Sequence, residues 1–218
     1  MNMQRLKDKA TYLINGAVGQ LEVAIDWPNE IKEDQTAVVI CHPHPLYQGS
    51  MDNKVVTTIS RSFNQLGLIA VRFNYRGVGQ SEGTYGDGIG ELEDLLAVIG
   101  WLRIQKKAQK IILAGFSFGG AIAYKAASRI DGVISLLMIA PSVIHFKLKA
   151  EKEPLAPLLV ILSKDDEVVA AIDTLEWLSK DFNQPFTLIS MAGAGHFFHG
   201  RLVDLKNEIL NYYTLKLT

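Results

Sequence analysis

The sequence predicts an α/β protein: a mostly parallel, doubly wound sheet preceded by an antiparallel strand pair. Three observations carry this. After residue 28, short apolar runs alternate with helix-length amphipathic stretches. Most of the runs are rich in Val, Ile and Leu with little polar alternation, as strands covered on both faces are. The stretches between them repeat apolar residues at helical spacing. Strand–helix alternation of this kind places helices on both sides of a parallel sheet.

The elements follow in order. Residues 10–15 and 20–26 alternate apolar and polar side chains around a turn at 16–19, which reads as an antiparallel pair. Further strands are expected at 37–41 (AVVIC), 69–73 (IAVRF), 110–115 (KIILAG), 132–139 (GVISLLMI), 157–163 (PLLVILS) and 186–191 (FTLISM). Helices are expected at 53–66, 90–103, 118–129, 170–181 and 202–215. In the second of these, Leu92, Leu95, Leu96, Ile99 and Leu102 recur at three and four, the spacing of one buried face. No repeat or low-complexity linker interrupts the 218 residues, so a single domain spanning 1–218 is expected.

Composition narrows the partners. Lys and Arg number 22 against 23 Asp and Glu, a net charge of −1. That balance lacks the basic excess a nucleic-acid binder uses to neutralise phosphates. Cys41 is the single cysteine, so no intramolecular disulfide forms, which suits a reducing compartment. The opening MNMQRLKDKATYLING carries charge through Lys9 and has no apolar core of the signal-peptide kind. No stretch reaches the ~18 apolar residues of a membrane span. A cytoplasmic location is expected.

In doubly wound sheets, ligands bind outside the carboxyl ends of the strands. The residues that follow each run are therefore the ones to question. After 110–113 comes A-G-F-S-F-G-G, whose residues 115–119 match G-x-S-x-G between a strand and a helix. Such a turn forces Ser117 into a strained conformation and needs small neighbours two before and two after, here Gly115 and Gly119. It exposes the hydroxyl and turns the Phe118 amide toward the same space. The plainer alternative is a glycine-rich turn holding a surface serine.

A serine nucleophile needs a base, and the base an orienting partner. In strand–turn–helix sites of this type the order is serine, acid, histidine. Of the three histidines after Ser117, His196 lies in G-A-G-H just past the last strand. His145 has no strand end beside it, and His199 falls one turn later, at the expected start of the last helix. The acid lies in the run Lys164-Asp165-Asp166-Glu167, where three carboxylates compete with a purely solvated reading. The developing oxyanion needs two donors. One is the Phe118 amide. The other comes from the loop His42-Pro43-His44-Pro45, where the prolines offer no N–H, so the donor is His42, His44 or Leu46; His44 is expected because the prolines on both sides hold its amide still. His42 and His44 as metal ligands would need further Asp or His residues at ligand spacing, and none is present. The 77–83 stretch, GVGQSEG, is not a dinucleotide fingerprint, since its third glycine is displaced to Gly83. Arg76 is expected to anchor that loop through Asp87, Glu91 or Asp94.

With HPHPLYQGSM, FNYRGVGQSEG, AGFSFGG, DDEVV and GAGHFFHG in this order, the chain resembles the α/β-hydrolase superfamily over nearly its whole length. It looks most like compact lidless hydrolases with an HPHP loop, similar to dienelactone hydrolases and serine aminopeptidase-like hydrolases. The resemblance implies the α/β-hydrolase fold, and its G-x-x-D-x-V-V pattern places the acid at Asp166, with Ser163 standing where the family has Gly. It implies no cap domain, because the 141–155 segment is too short for one, and hence an open site. Dienelactone hydrolases proper use cysteine where this chain has Ser117, which counts against dienelactone as substrate. The expected activity is hydrolysis of a small-molecule ester or thioester by a Ser117–His196–Asp166 triad, without metal or cofactor. Cleavage of short peptides is the alternative, with Glu82, Asp87 or Glu91 as anchors for an amine; a non-catalytic scaffold is disfavoured because no triad residue is missing. The tail at 211–217 and the capless face allow a homodimer.

Overall fold

The computed structural model describes residues 10–31, 35–146, 148 and 153–216. Eight strands form one sheet: β1 (Ala10–Asn15), β2 (Gln20–Asp26), β3 (Thr36–Cys41), β4 (Ile69–Phe73), β5 (Lys110–Phe116), β6 (Val133–Ile139), β7 (Leu158–Ser163) and β8 (Phe186–Met191). Among the described residues five α-helices pack on it: α1 (Lys54–Gln65), α2 (Gly90–Lys106), α3 (Phe118–Ala127), α4 (Ala171–Lys180) and α5 (Leu202–Lys216). The strand order is β1-β2-β4-β3-β5-β6-β7-β8. The β1–β2 and β2–β4 pairings are antiparallel and the rest parallel. The antiparallel opening pair is as expected, and it extends one pairing further than the sequence pattern indicated. No separate cap domain covers the carboxyl end of the sheet among the described residues.

Side-chain alternation divides two cores. Ala37, Val39 and Cys41 of β3 point into one core with residues of α2, α3 and α4, while Val38 and Ile40 point into the other with α1 and α5. This double coverage is why the central strands read as continuous apolar runs. β8 differs. It lies at the sheet edge with Phe186 and Leu188 exposed, so its apolar composition overstates its burial.

Strand order also fixes the site. From β3 the chain moves to β4 on one side, then crosses back to β5 on the other. The loops after β3 and β5 therefore part in opposite directions, opening a crevice between their carboxyl ends. Each helix boundary lies within a few residues of its expected place. Asn53 caps α1 by accepting a hydrogen bond from the Val55 N–H at 2.8 Å.

The 74–89 loop is tied down as scaffold. Arg76 Nη2 donates to Asp94 at 2.8 Å and to Glu93 at 3.0 Å, and the Arg76 backbone N–H also reaches Asp94. Of the three expected anchors only Asp94 acts this way. Glu91 instead is buried, accepting the N–H groups of Gly86 and Gly88 at 2.9 and 2.7 Å. Residues 1–9, on which part of the cytoplasmic expectation rests, fall outside the described residues. So do 147, 149–152 and 217, which belong to the short 141–155 segment and to the tail considered for dimer formation.

Candidate active site

Ser117 stands between β5 and α3 at φ 55°, ψ −119°. A non-glycine residue there stores roughly 1–3 kcal/mol of strain and persists only where its surroundings dictate it. They do so at both backbone groups. The Ser117 N–H donates to Ile139 O at 2.9 Å, and its carbonyl accepts from Gly120 N–H at 3.0 Å and Ser142 N–H at 3.2 Å. The two flanking glycines are required by space. A Cβ on Gly115 would lie 2.2 Å from Gly119 O, and one on Gly119 would lie 2.3 Å from Cys41 O. The start of α3 thus presses directly on the end of β3.

The imidazole comes from the loop after β8. The His196 ring lies against Phe116, the residue preceding Ser117, with centroids 4.9 Å apart, and meets Phe197 edge-on at 5.1 Å. Ser117 is 8 % exposed and His196 2 %, so both residues are buried. The Ser117 hydroxyl has no hydrogen-bond partner among the described residues. In substrate-free sites such contacts commonly tighten only when substrate binds.

The acidic run after β7 resolves into three separate tasks. Asp166 Oδ2 accepts from His196 Nδ1 at 2.8 Å, while its Oδ1 accepts from the Val168 and Val169 N–H groups at 2.9 and 2.7 Å. Burial by itself would raise the Asp166 carboxyl. The His196 and two amide hydrogen bonds outweigh it and hold the group below its ordinary value. Asp165 accepts from Gly193 N–H at 2.7 Å, and Glu167 from His196 N–H at 3.0 Å. The hydroxyl of Ser163 donates to Ala194 O. Sequence reasoning selected Asp166 but missed that its neighbours clamp the histidine loop.

The rings of His44 and Phe118 pack 4.9 Å apart. The backbone N–H of each has no partner among the described residues. His42 is committed elsewhere. Its Nδ1–H donates to Pro43 O at 2.6 Å and its Nε2 accepts from Tyr75 N–H at 3.1 Å. Among the described residues no three His, Cys, Asp or Glu side chains gather as a metal ion would require. His145 lies near Ser142 Oγ at 3.3 Å, and His199 stacks on Phe197 in the turn before α5 rather than at its start.

A strained serine at the crevice of a doubly wound sheet, with an Asp–His pair in the loops after β7 and β8, fits an α/β-fold serine hydrolase. The sequence matches the family model described as X-Pro dipeptidyl-peptidase (S15 family) over residues 18–151, and the chain belongs to that family. It is 31 % identical over 211 residues to an uncharacterized protein of Rickettsia prowazekii, covering 91 % of this chain and 86 % of that one. The fold is similar to an α/β serine hydrolase homologue from Coxiella burnetii, with TM-score 0.86 and 40 % identity over 93 % of this chain and 96 % of the other. It is also similar to a lidless α/β serine hydrolase from Xanthomonas campestris, with TM-score 0.85 and 36 % identity over 94 % and 93 % of the two chains. No described helix is long and apolar enough to cross a membrane.

Proposed function

We propose that the protein hydrolyses small-molecule esters or thioesters as a single domain, with Ser117 as nucleophile, His196 as base and Asp166 as the orienting acid. The observation that carries this reading is the 2.8 Å Asp166–His196 pair laid against Phe116, beside a serine held at φ 55°. Asp166, kept ionised, accepts from Nδ1–H and so fixes the tautomer in which Nε2 carries the basic lone pair. Ser117 Oγ attacks the acyl carbon as Nε2 takes its proton. The oxyanion accepts hydrogen bonds from the Phe118 and His44 N–H groups, each such donor worth about 3 kcal/mol. Collapse expels the alcohol or thiol, which takes the proton from His196 and leaves acyl-Ser117. Water then attacks the acyl carbon, giving a proton to His196, and the acid leaves as Ser117 recovers that proton.

Family membership favours a second reading, cleavage of short peptides. Of the carboxylates considered as amine anchors, Glu82 accepts from Gln20 N–H and Glu91 is buried on two amides, which leaves Asp87. A panel of p-nitrophenyl acetate, longer acyl esters and aminoacyl-prolyl anilides separates the two readings. A fluorophosphonate probe is expected to label Ser117, and Ser117→Ala to lose labelling and on the order of 10⁶ in turnover. Labelling that persists in Ser117→Ala overturns the mechanism.

A further inference from the structure

The ring of His44 is held at both nitrogens. The Leu46 N–H donates to Nδ1 at 3.2 Å, and Nε2 lies 3.1 Å from the hydroxyl of Tyr85 in the loop after β4. Burial keeps the His44 imidazole below its ordinary value; Glu91 and Asp87 pull the other way, and His145 adds to the drop. The ring is therefore neutral at pH 7. Because Nδ1 accepts, the ring proton resides on Nε2 and is donated to Tyr85 Oη. Burial, together with Glu91, Asp87 and Tyr47, raises the phenol and keeps it protonated.

The rest of residue 44 is equally constrained. Its carbonyl accepts from Tyr47 N–H and Gly49 N–H, both at 3.1 Å. The adjoining Pro43 and Pro45 contribute no donors. Its backbone N–H is thus the one polar group of residue 44 with no partner among the described residues. Tyr85 itself is fixed from below, since Glu91 grips the amides of Gly86 and Gly88 on the next turn of chain. A continuous path runs from α2 through Glu91 and Tyr85 to the His44 ring.

We propose that Tyr85 is a positioning residue: through the His44 ring it holds the His44 N–H in line with the Phe118 N–H for the oxyanion. This rests on the esterase reading above. Tyr85→Phe keeps the ring contacts with His44 and Phe118, at 4.9 and 6.3 Å, and deletes only the hydroxyl. A donor left in place but loosened is expected to lower kcat about tenfold, since small misplacements act on the transition state. KM for p-nitrophenyl acetate should stay within about twofold, and phenylboronic acid, which presents a tetrahedral anion to the site, should bind weaker by the same factor as kcat falls. His44→Ala should cost a similar factor, and Tyr85→Phe should add nothing in the His44→Ala background.

A Tyr85→Phe loss that persists in that background means Tyr85 touches substrate itself and overturns the positioning role. Unchanged kcat in Tyr85→Phe overturns it too, provided wild-type turnover depends on Ser117. Wild type without Ser117-dependent turnover removes the esterase reading and the proposal with it. Nitrogen-15 spectra of histidine-labelled wild type supply a readout independent of activity. His44 should carry its proton on Nε2, and a proton on Nδ1 would contradict the clamp.

Discussion

The Ser163 hydroxyl donates a hydrogen bond to the carbonyl of Ala194, two residues before the imidazole of His196. Ser163 ends β7 and is 1 % exposed. Besides the Asp166–His196 pair, the loops after β7 and β8 are joined through Lys164 N–H to Met191 O, Asp165 to Gly193 N–H, and Glu167 to His196 N–H. Ser163 is therefore a fastening of the histidine loop. Ser163→Gly leaves a buried carbonyl without its donor and should destabilise the fold by about 1–2 kcal/mol. Urea denaturation measures the stability change, and the same variant should lose a few-fold in kcat. Wild-type values for both would show that the other fastenings suffice.

Asp165 and Asp166 are adjacent carboxylates with different consequences. In Asp166→Asn the amide can offer Nδ2–H to the imidazole, favouring the tautomer with its proton on Nε2, the atom proposed as base. A loss of roughly 10³–10⁴ in kcat is expected, with some loss of stability as the charge-assisted hydrogen bonds from His196, Val168 and Val169 become neutral ones. Asp165→Asn keeps an acceptor for Gly193 N–H and should remain within about threefold of wild type, as a neutral acceptor replaces a charged one. Steady-state kinetics on one ester decides the matter. Equal losses in both variants would transfer the orienting role to the pair.

Much of this arrangement was legible in the sequence because it depends on local order. Apolar runs without alternation marked the covered strands β3 and β5, and G-x-S-x-G marked a turn whose geometry is set by Gly115 and Gly119 within five residues. The same signal misled at β8, where FTLISM is apolar but lies on an uncovered edge. What could not be read was pairing across distance. Asp165, Asp166 and Glu167 look like one solvated charge run, yet each meets a different group of the loop after β8. Likewise the loop after β4 showed only glycines and charge, while Glu93 joining Asp94 on Arg76 depends on how α2 packs on that loop, and Tyr85 on His44 depends on the pairing of β3 with β4.

Gly119 tests how closely α3 must approach β3. Its Cβ position lies 2.3 Å from Cys41 O and 2.5 Å from His42 O, both rigid backbone atoms. Gly119→Ala should cost about 3 kcal/mol of stability, as overpacking against backbone does, and should part the Phe118 amide from the His44 loop. Thermal melting and fluorophosphonate labelling rate should both fall. Ala at Gly100, where a Cβ meets nothing within 4 Å, should match or exceed wild-type stability, because helix α2 gains up to about 1 kcal/mol of propensity.

His42 sets a pH limit on the fold. It is fully buried, and its pKa is lowered to about 4, chiefly by burial, with the Pro43 hydrogen bond opposing and the nearby His44 adding to the drop. In the unfolded chain the same imidazole titrates near 6.5. Between those values the unfolded state binds a proton that the folded state refuses, so stability rises with pH across the window. The contribution is complete above about 6.5 and is lost progressively as pH falls toward about 4, some 3 kcal/mol in all at 1.36 kcal/mol per unit. Carboxylates such as Asp166, depressed in the fold, add their own loss at lower pH, so the test is a difference between proteins. Urea unfolding at pH 7.5 and pH 4.5 should show wild type losing about 2–3 kcal/mol more than His42→Gln, which has no group to protonate in that range. Equal losses in the two proteins would mean that the imidazole takes up its proton in the folded state, and that its hydrogen bonds to Pro43 and Tyr75 yield when it does.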